Sequence, residues 1–289
     1  MVLTQNKMYE KIESFIYDMP SLPVSAKKVL EICNNLNANP SDLNKVISLD
    51  PVLTGRLLRL INSAFYGLNS HVTSLVKAIT MLGINTVKNL TLSTAILGTL
   101  PKNKVVNGLN MEGYWRHSLC VGVTSKLFAA KQGVEPRFLQ EYFTAGLLHD
   151  IGKLPLNAAM PEEYMNAIAC ADREHKKLID AENDSFGINH CNTGDLITSA
   201  WKLDSPVSDV ILFHHNADEY NGEYLHVIYN VVIADYFSVI NGVGFAGEKN
   251  PGKPDDDIWK IMGLNEDSFE EFKGAIFNEI EKAKIFLQL

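Results

Sequence analysis

Positive charge and paired cysteines are both scarce in this sequence. Its 289 residues include 26 lysines and arginines against 34 aspartates and glutamates, which gives a formal net charge of −8. Nucleic acids and anionic lipid surfaces recruit proteins through a positive field, so neither DNA nor a membrane is an expected partner. The four cysteines lie far apart and form no Cys-x-x-Cys pair, so we expect neither a disulfide framework nor a zinc knuckle. They are Cys33, Cys120, Cys170 and Cys191.

The sequence also lacks a hydrophobic run long enough to cross a bilayer. The longest apolar stretch, Leu225 to Ile240, contains Asn230 and Asp235 and falls short of the ~20 residues that a transmembrane helix needs. The first residues, MVLTQNKMYEKIE, carry acidic side chains and no apolar segment of the kind found in secretory signals. We therefore expect a cytoplasmic protein.

Alternating strand patterns are absent as well, and helical periodicity runs through most of the chain. The polar stretch at residues 100–113 interrupts that periodicity and is the best candidate for a domain boundary. We predict an all-α protein, with an N-terminal helical bundle at 1–105 packed on a second helical domain at 106–289. In the second domain, helices are predicted around 114–132, 137–150, 161–172, 192–201, 206–215 and 224–240, followed by a last amphipathic helix.

In the N-terminal part, two polar residues mark helix starts. Ser41 is predicted to cap one helix, and Asp50 stands before a proline suited to the first position of the next. Further on, Gly83 separates two short helices in an order that resembles a DNA-binding helix-turn-helix. The second of them offers only Lys88 as a cation and is too apolar to lie against phosphates, so packing explains it better.

Histidines are concentrated in the second part of the chain. A single histidine beside apolar residues is more often a hydrogen-bonded core residue than a metal ligand, but clustering changes that balance. His71 and His175 have polar neighbours and are interpreted as surface residues. His226 lies nine positions before Asp235, roughly 13 Å along a helix, and is not expected to be a ligand. The histidines in or beside apolar helical segments are His117, His149, His190, His214, His215 and His226.

The sharpest signal is the dipeptide His149-Asp150 at the end of the apolar segment FTAGLLHDIGK. An unpaired carboxylate there would be costly to bury, and a metal ion removes that cost because Asp150 can bridge two ions through its two oxygens. Asp235 lies in the apolar helix VVIADYFSVI and needs a partner as well. Metal ligation or a hydrogen bond to a ligating histidine supplies one, and a helix cap or a buried ion pair is the structural alternative.

Other histidines are expected to approach the same pocket. His117 comes from the preceding helix, and His190 lies where a new helix starts. His214 and His215 end one helix and can reach two neighbouring ions only if that helix loosens there, so one of the pair can act indirectly.

Six or seven nitrogen and oxygen ligands without a thiolate favour iron, manganese, zinc or nickel over a structural zinc site. One or two divalent transition metals are the expected cofactor. Such a site can make hydroxide from water and hold phosphoryl oxygens, and Lys153 can neutralise a phosphate oxygen nearby. The residues predict phosphoester hydrolysis, with Asp150 and Lys153 as candidate catalytic residues. The candidate metal ligands are His117, His149, Asp150, His190, His214, His215 and Asp235.

These residues resemble the pattern of the HD superfamily of metal-dependent phosphohydrolases. That pattern is a histidine, then His-Asp, then a distant aspartate, and here it is represented by His117, His149-Asp150 and Asp235. The resemblance implies a helical fold and a metal-dependent activity on phosphoesters.

Further residues resemble the HD-GYP branch, which hydrolyses cyclic di-GMP. His190 and the pair His214-His215 match its larger ligand set, and Lys153 matches its substrate-contacting lysine. Two departures separate this chain from that branch. Gly113 stands where some HD-GYP proteins have a glutamate, which argues against a third metal, and no Gly-Tyr-Pro follows the histidine pair, so the cyclic di-GMP specificity does not carry over.

The N-terminal part is identified as a member of another branch, the HDOD domain, by three long phrases. They are MPSLPVSAKKVLEI, VISLDPVLTGRLLRLINSAFYG and ITMLGINTVKNLTL, and the resemblance extends from about Pro20 to about Asp235. It implies a bacterial signalling output domain with no settled activity, a type often joined to receiver, GGDEF or EAL modules. Many members lack parts of the metal set, which this sequence keeps.

Two functions follow from the sequence. The first is a metal-dependent phosphohydrolase that acts on a nucleotide or cyclic nucleotide within a signalling pathway, supported by the intact ligand set and Lys153. The second is a noncatalytic output or scaffold module that binds a signalling protein partner, supported by the missing Gly-Tyr-Pro and the apolar N-terminal bundle. Hydrolysis that disappears in Asp150→Ala would separate them.

Overall fold

The computed structural model describes residues 5–35, 38–100, 109–203 and 206–288, and within these ranges it is helical without a β-strand. The fold is all-α, as the sequence periodicity predicts. The N-terminal helices are α1 (Gln5–Asp18), α2 (Val24–Cys33), α3 (Pro40–Ile47), α4 (Pro51–Ile61), α5 (Leu75–Leu82) and α6 (Ile84–Thr99).

The later helices carry the histidine-rich half of the sequence. They follow the predicted helices closely, and three short ones were not predicted: α9, α11 and α15. The later helices are α7 (Met111–Lys131), α8 (Leu139–Leu148), α9 (Lys153–Ala159), α10 (Pro161–Glu174), α11 (Leu178–Phe186), α12 (His190–Trp201), α13 (Val207–Phe213), α14 (Leu225–Ile240), α15 (Asp256–Met262) and α16 (Asp267–Ala283).

The helix caps of the N-terminal part confirm one prediction and correct another. Asn39, not Ser41, caps α3, because Pro40 takes the first helical position and the Asn39 side chain accepts a 2.9 Å hydrogen bond from the Ser41 backbone N–H. Asp50 caps α4 as predicted. It also accepts a 2.6 Å hydrogen bond from the Ser25 hydroxyl, which ties the starts of α2 and α4 together.

Helix α6 is buried on all sides, which supports packing over the helix-turn-helix alternative. It contacts α2, α4, α5 and α8, and the side chains from Leu90 to Leu97 are all buried. A recognition helix needs one face free to enter a groove, and α6 offers none over that stretch.

Helices α7 and α8 meet at two glycines, and this close approach positions the histidine cluster. A Cβ at Gly146 would lie 2.9 Å from the Cα of Gly122, and a Cβ at Gly122 would lie 2.7 Å from the Phe143 carbonyl oxygen. Any larger side chain would push the two helices apart. His117 lies on α7 and His149 directly follows α8, so the glycines keep the two imidazoles close.

Helix α9 starts at Lys153, four residues after His149, so the chain between α8 and α9 makes a tight turn. A Cβ at Gly152 would overlap the His190 carbonyl oxygen, which means that this turn packs directly on the start of α12. Pro155 is the third residue of α9, where no backbone donor is needed, and so the helix tolerates it. The proline and the short length explain why the sequence pattern did not predict α9.

The two parts of the chain share one hydrophobic core. Helix α1 packs against α9, α11 and α12. The Phe286 ring lies 5.3 Å from the ring of Phe65 and 4.7 Å from that of Phe143, between centroids. The predicted boundary between residues 105 and 106 lies outside the described residues. Within those residues, no helix is long and apolar enough to span a membrane.

Candidate metal centre

The structure brings all seven predicted ligands into one cluster, with His117 and Asp235 inside α7 and α14 and the others at the ends of α8, α12 and α13. They form three overlapping sets in which the ligand atoms lie within 4.8 Å of one another. Two of the sets share His149 and two share His214, so the cluster is continuous. The sets are His117, His149 and Asp235; His149, Asp150 and His214; and His190, His214 and His215.

The first half of the cluster surrounds the Asp235 carboxylate. His117 Nε2 lies 3.1 Å from Asp235 Oδ1, and His149 Nε2 lies 3.8 Å from the same oxygen. One oxygen of Asp150 completes the group, since its Oδ2 lies 3.6 Å from His117 Nε2 and 3.3 Å from His149 Nε2. Two imidazole nitrogens and two carboxylate oxygens therefore face one small volume.

The second half of the cluster is built from three histidines. His190 Nε2 lies 3.4 Å from His214 Nε2, and Asp150 Oδ1 lies 3.5 Å and 3.8 Å from these two nitrogens. Helix α13 ends at Phe213, so His214 and His215 follow in a turn rather than a helix. This is the loosening that allows both adjacent histidines to join the cluster.

Asp150 links the two halves, because its two oxygens face different histidine pairs. Burial opposes ionisation of this carboxyl, but the neighbouring His149 imidazole and the charge of Lys153 hold its pKa well below the usual range. The pKa of Asp235 is also lowered, since His117 and His149 outweigh the effect of its burial. Both carboxylates are thus anionic at neutral pH and able to bind cations.

In His117 and His149, hydrogen bonds at Nδ1, on the side of the ring away from the cluster, leave Nε2 as the nitrogen that can bind a metal. The Ser238 hydroxyl donates to the Val243 carbonyl at 3.1 Å, so at His117 it must accept, and Nδ1 of His117 carries the proton. His149 Nδ1 donates to the Gly146 carbonyl at 2.8 Å. In the neutral rings, each Nε2 then presents a lone pair to the centre, as a metal ligand must.

The second half is oriented in the same way. His190 Nδ1 donates to Glu182 Oε2 at 2.6 Å, and His214 Nδ1 donates to the Val210 carbonyl at 3.0 Å. His215 stays neutral, because burial and the neighbouring histidines His214 and His190 hold its pKa well below the usual value.

Glu182 and Ser238 contact two of the candidate ligands, His190 and His117, and sequence reasoning missed both of them. Glu182 is fully buried on α11, where it also accepts hydrogen bonds from the Tyr164 hydroxyl at 2.8 Å and the His190 backbone N–H at 2.9 Å. A signal was present, since Leu178, Glu182 and Phe186 recur every four residues and place the carboxylate on an apolar helix face. Ser238 gives no comparable signal.

The donor atoms fit a divalent ion. His117 Nε2, His149 Nε2 and Asp150 Oδ1 are buried and have no hydrogen-bond partner in the described structure. His117 Nε2 also lies 3.1 Å from a carboxylate oxygen of Asp235, and a cation held between these two atoms would satisfy both of them. These orphaned acceptors all lie in the cluster, and a nitrogen and oxygen donor set suits transition metals.

Lys153 is the one buried lysine at the centre. Its Nζ lies 2.7 Å from Asp150 Oδ2, the oxygen that faces the first half. Burial favours the neutral amine, yet the charges of Asp150, Asp235 and Glu182 raise the lysine pKa above its usual value. Lys153 is therefore a fixed positive charge beside the candidate ligands.

A cavity of about 440 Å³ opens onto the cluster, and His214, His215 and Asp235 line its inner end. Its walls come from one face of α14 and from the segment at residues 248–258. The centre is thus accessible from one side.

The remaining histidines and the cysteines lie outside the cluster. His71 and His175 are exposed, as predicted, and His226 Nδ1 lies 3.2 Å from the Tyr142 hydroxyl. The cysteines are free thiols. Cys191 comes nearest to the centre, with its Sγ 3.8 Å from His214 Nδ1, the nitrogen that faces the carbonyls rather than the other ligands.

Fold and site together define an all-helical protein with a buried His/Asp cluster that can hold divalent metal. The sequence pattern of the HDOD domain matches residues 19–217. The chain therefore belongs to the HDOD family, as the N-terminal phrases predicted.

Similar proteins extend over nearly the whole chain. An uncharacterized protein of Treponema pallidum is 25% identical over 231 residues, which are 79% of this chain and 44% of that one. The chain thus spans less than half the length of that relative. An HDOD domain protein of unknown function from Geobacter sulfurreducens has a TM-score of 0.75 at 23% identity, with 99% of this chain and 100% of that chain covered.

Two structures from Shewanella amazonensis share the fold. One, named "Putative phosphohydrolase", has a TM-score of 0.71 at 22% identity and covers 96% of this chain and 98% of its own. The other, named "Putative metal-dependent phosphohydrolase", has a TM-score of 0.62 at 17% identity and covers 98% and 99%. At these identities the likeness establishes the fold.

Proposed function

We propose that this HDOD protein is a metal-dependent phosphohydrolase with two divalent ions at the His/Asp cluster. The carrying observation is the position of Asp150, whose Oδ2 faces His117 and His149 while its Oδ1 faces His190 and His214. A carboxylate between two separate histidine groups is suited to bridging two ions.

In this proposal His117, His149 and Asp235 hold one ion and His190, His214 and His215 hold the other, with Asp150 shared. Iron, manganese, zinc and nickel all suit the donors. Divalent ions at such a site lower the pKa of water and polarise phosphoryl oxygens.

The chain's own residues supply orientation and charge. Ser238 and Glu182 hold the rings of His117 and His190 with their Nε2 atoms turned inward. Lys153 keeps its proton and can stabilise negative charge on a phosphoryl oxygen. The 440 Å³ cavity that ends at His214 and Asp235 gives a small molecule access to the centre.

The relatives support the reaction class, since two proteins of the same fold are named as phosphohydrolases. A nucleotide or cyclic nucleotide is the first substrate class to screen, on the resemblance to HD-GYP proteins. The missing Gly-Tyr-Pro after His215 means that cyclic di-GMP is one member of the screen and not the assumed substrate.

The test is hydrolysis of bis(p-nitrophenyl) phosphate and a nucleotide panel by metal-loaded protein. Asp150→Asn removes one anionic ligand oxygen at nearly constant shape, and we expect turnover to fall at least ~1,000-fold, the scale of losing a major electrostatic group. Asp180→Asn, an exposed carboxylate on α11, is the matched control and should leave turnover unchanged. A metal-loaded protein with no turnover on any member of the panel would contradict the proposal.

A second function is favoured by an exposed apolar patch on the N-terminal helices. Val24, Leu49 and Val52 are 70%, 78% and 63% exposed, and the Ser25 to Asp50 hydrogen bond brings them together. Such a patch fits a noncatalytic signalling output module that binds a protein partner in the cytoplasm. Under that alternative metal would bind without turnover, and Leu49→Asp would abolish signalling.

A further inference from the structure

The cavity above the cluster carries more negative than positive charge. Its described lining includes carboxylates from three segments of the chain, and lysines are fewer. The acidic residues are Asp218, Asp235, Glu248, Asp255, Asp256 and Asp257, and the lysines are Lys177 and Lys253.

Much of this acidic charge is not neutralised within the described chain. The side-chain carboxylates of Asp218, Asp255 and Asp257 are exposed and take part in no hydrogen bond or ion pair within the described residues. Lys253, by contrast, pairs with Glu266 outside the cavity lining, at 3.2 Å. A cleft lined by one sign of charge focuses its field, so this wall attracts cations and repels groups that carry several negative charges.

Aromatic rings stand beside the carboxylates. Tyr229, Val232 and Tyr236 lie three to four residues apart on the cavity face of α14, next to the candidate ligand Asp235. Rings and carboxylates in one cavity are the groups that recognise organic cations, including quaternary ammonium. The rings are a second feature of the wall, independent of the acidic residues, that suits a cation.

The inner end of the cavity, next to the candidate metal ligands, is suited to an anion rather than a cation. His214 is 3% exposed and lines it, and with Nδ1 engaged by the Val210 carbonyl its Nε2 faces the candidate ligand atoms His190 Nε2 and Asp150 Oδ1. If the proposed metal ions are bound there, this end takes an anion. The two ends together fit a molecule of mixed charge, and a volume of about 440 Å³ lies in the range for small-molecule sites.

We propose that the ligand of this cavity is a small phosphoester that carries a positively charged group. The phosphate lies at the metal end, and the cation lies against Tyr229, Tyr236 and the acidic wall. This inference rests on the proposed function and narrows its substrate class. Molecules with several phosphates, cyclic dinucleotides among them, would turn negative charge toward Asp255 and Asp257 and bind poorly.

The test compares two probes of nearly the same shape by calorimetry on the metal-loaded protein. Phosphocholine carries a quaternary ammonium, and 3,3-dimethylbutyl phosphate replaces that nitrogen with carbon. We expect phosphocholine to bind at least ~10-fold more tightly, because cation–π contact and the acidic wall act only on the charged probe. The preference should shrink as salt is raised. Equal affinities would overturn the inference.

Variants show whether the preference comes from the wall. Asp255→Asn with Asp257→Asn removes two charges, and Asp255 makes no side-chain cap bond that its loss would break. We expect this double variant to lose most of the preference and Tyr236→Leu to reduce it. Asp18→Asn with Asp180→Asn removes two exposed charges that do not line the cavity and is the matched control. A preference that survives in the wall variants would also overturn the inference.

Failure of this inference is distinct from failure of the metal centre. If metal-loaded protein binds both probes equally, the proposal of a metal centre stands and the proposal that the acidic wall binds a cation fails. If the protein takes up no metal, choline and 3,3-dimethylbutanol can be compared on the metal-free protein, where the wall alone should still favour choline. Equal binding of those two alcohols would reject the wall independently of any metal.

Discussion

The interior of helices α1 to α6 and the interior of helices α7 to α16 differ in charge. Within the described residues, no histidine, lysine or carboxylate is buried in the first six helices, where residues such as Leu57 and Ile61 fill the core. The later helices bury a set of titratable side chains close together. They are His117, His149, Asp150, Lys153, Glu182, His190 and His214.

The difference shows what each region is built to do. Apolar burial stabilises the first region without further help, at roughly 25 cal/mol per Å². Buried charge costs free energy unless partners compensate it, and three candidate ligand atoms of the cluster have no hydrogen-bond partner within the described protein. This cluster is the part of the molecule where a bound cation would lower the cost of burial most.

The largest expected effect is that of metal removal, which should lower the thermal stability of the protein by acting on the cluster in helices α7 to α16. Stripping the protein with a chelator leaves the cluster uncompensated, and adding metal back at about 1,000 times its Kd stabilises the fold by about 4 kcal/mol per ion. For a chain of 289 residues that corresponds to a rise in Tm of roughly 7 °C per ion, measured by calorimetry. Asp150→Asn should show no comparable rise, and a wild-type Tm indifferent to metal would contradict the account.

A cavity in the apolar region should have the converse effect. Leu57 is fully buried on α4, so Leu57→Ala should lower the free energy of unfolding by about 3 kcal/mol while leaving the metal content unchanged. Leu49, 78% exposed, is the control, and Leu49→Ala should change stability by less than about 0.5 kcal/mol. Denaturant titration and metal analysis on the same samples test this. Loss of metal in Leu57→Ala would mean that the regions are not separable.

A substitution at Glu182 should weaken metal binding in the later region less than the loss of a metal ligand does. Glu182→Gln keeps an acceptor for the Tyr164 hydroxyl but weakens the charge-assisted bond that orients His190. Metal affinity should fall by about 10- to 100-fold, as for other residues that orient a ligand. Competition with a chromophoric chelator measures the affinity, and Glu162→Gln on the surface of α10 is the control. An unchanged metal affinity would show that Glu182 does not orient His190 for metal binding.

Lys126 is a charged residue at the border of the two regions. Its Nζ lies 4.1 Å from the centre of the Phe65 ring, and burial lowers the lysine pKa to about 8. Between that pH and the unfolded value of about 10.4, the unfolded state binds more protons, so stability rises with pH there.

Lys126→Met removes the buried charge and with it this pH dependence. We expect the variant to be more stable than wild type at pH 7, by about 1 kcal/mol, and the difference to shrink by pH 10. Denaturant titrations at both pH values measure it. A variant less stable than wild type at pH 7 would show that the cation–π contact outweighs the cost of burial.

The sequence predicted the parts of the fold and the site that depend on local pattern. Helix periodicity gave the all-α class, and the setting of His149-Asp150 in an apolar helix end identified the centre. Ser238 and Glu182 could not be assigned to His117 and His190, because these pairs form only when distant helices pack. The acidic wall at residues 248–258 was equally hidden, since nothing local shows that a polar loop covers a cluster.

The most direct test of the central claim is the metal content of protein purified without chelator or histidine tag, measured by mass spectrometry for wild type and Asp150→Ala. The account predicts near two equivalents of transition metal in wild type and a loss in the variant, because Asp150 faces both histidine groups. Protein that stays free of metal under metal-replete conditions, or a variant that keeps both equivalents, would contradict it.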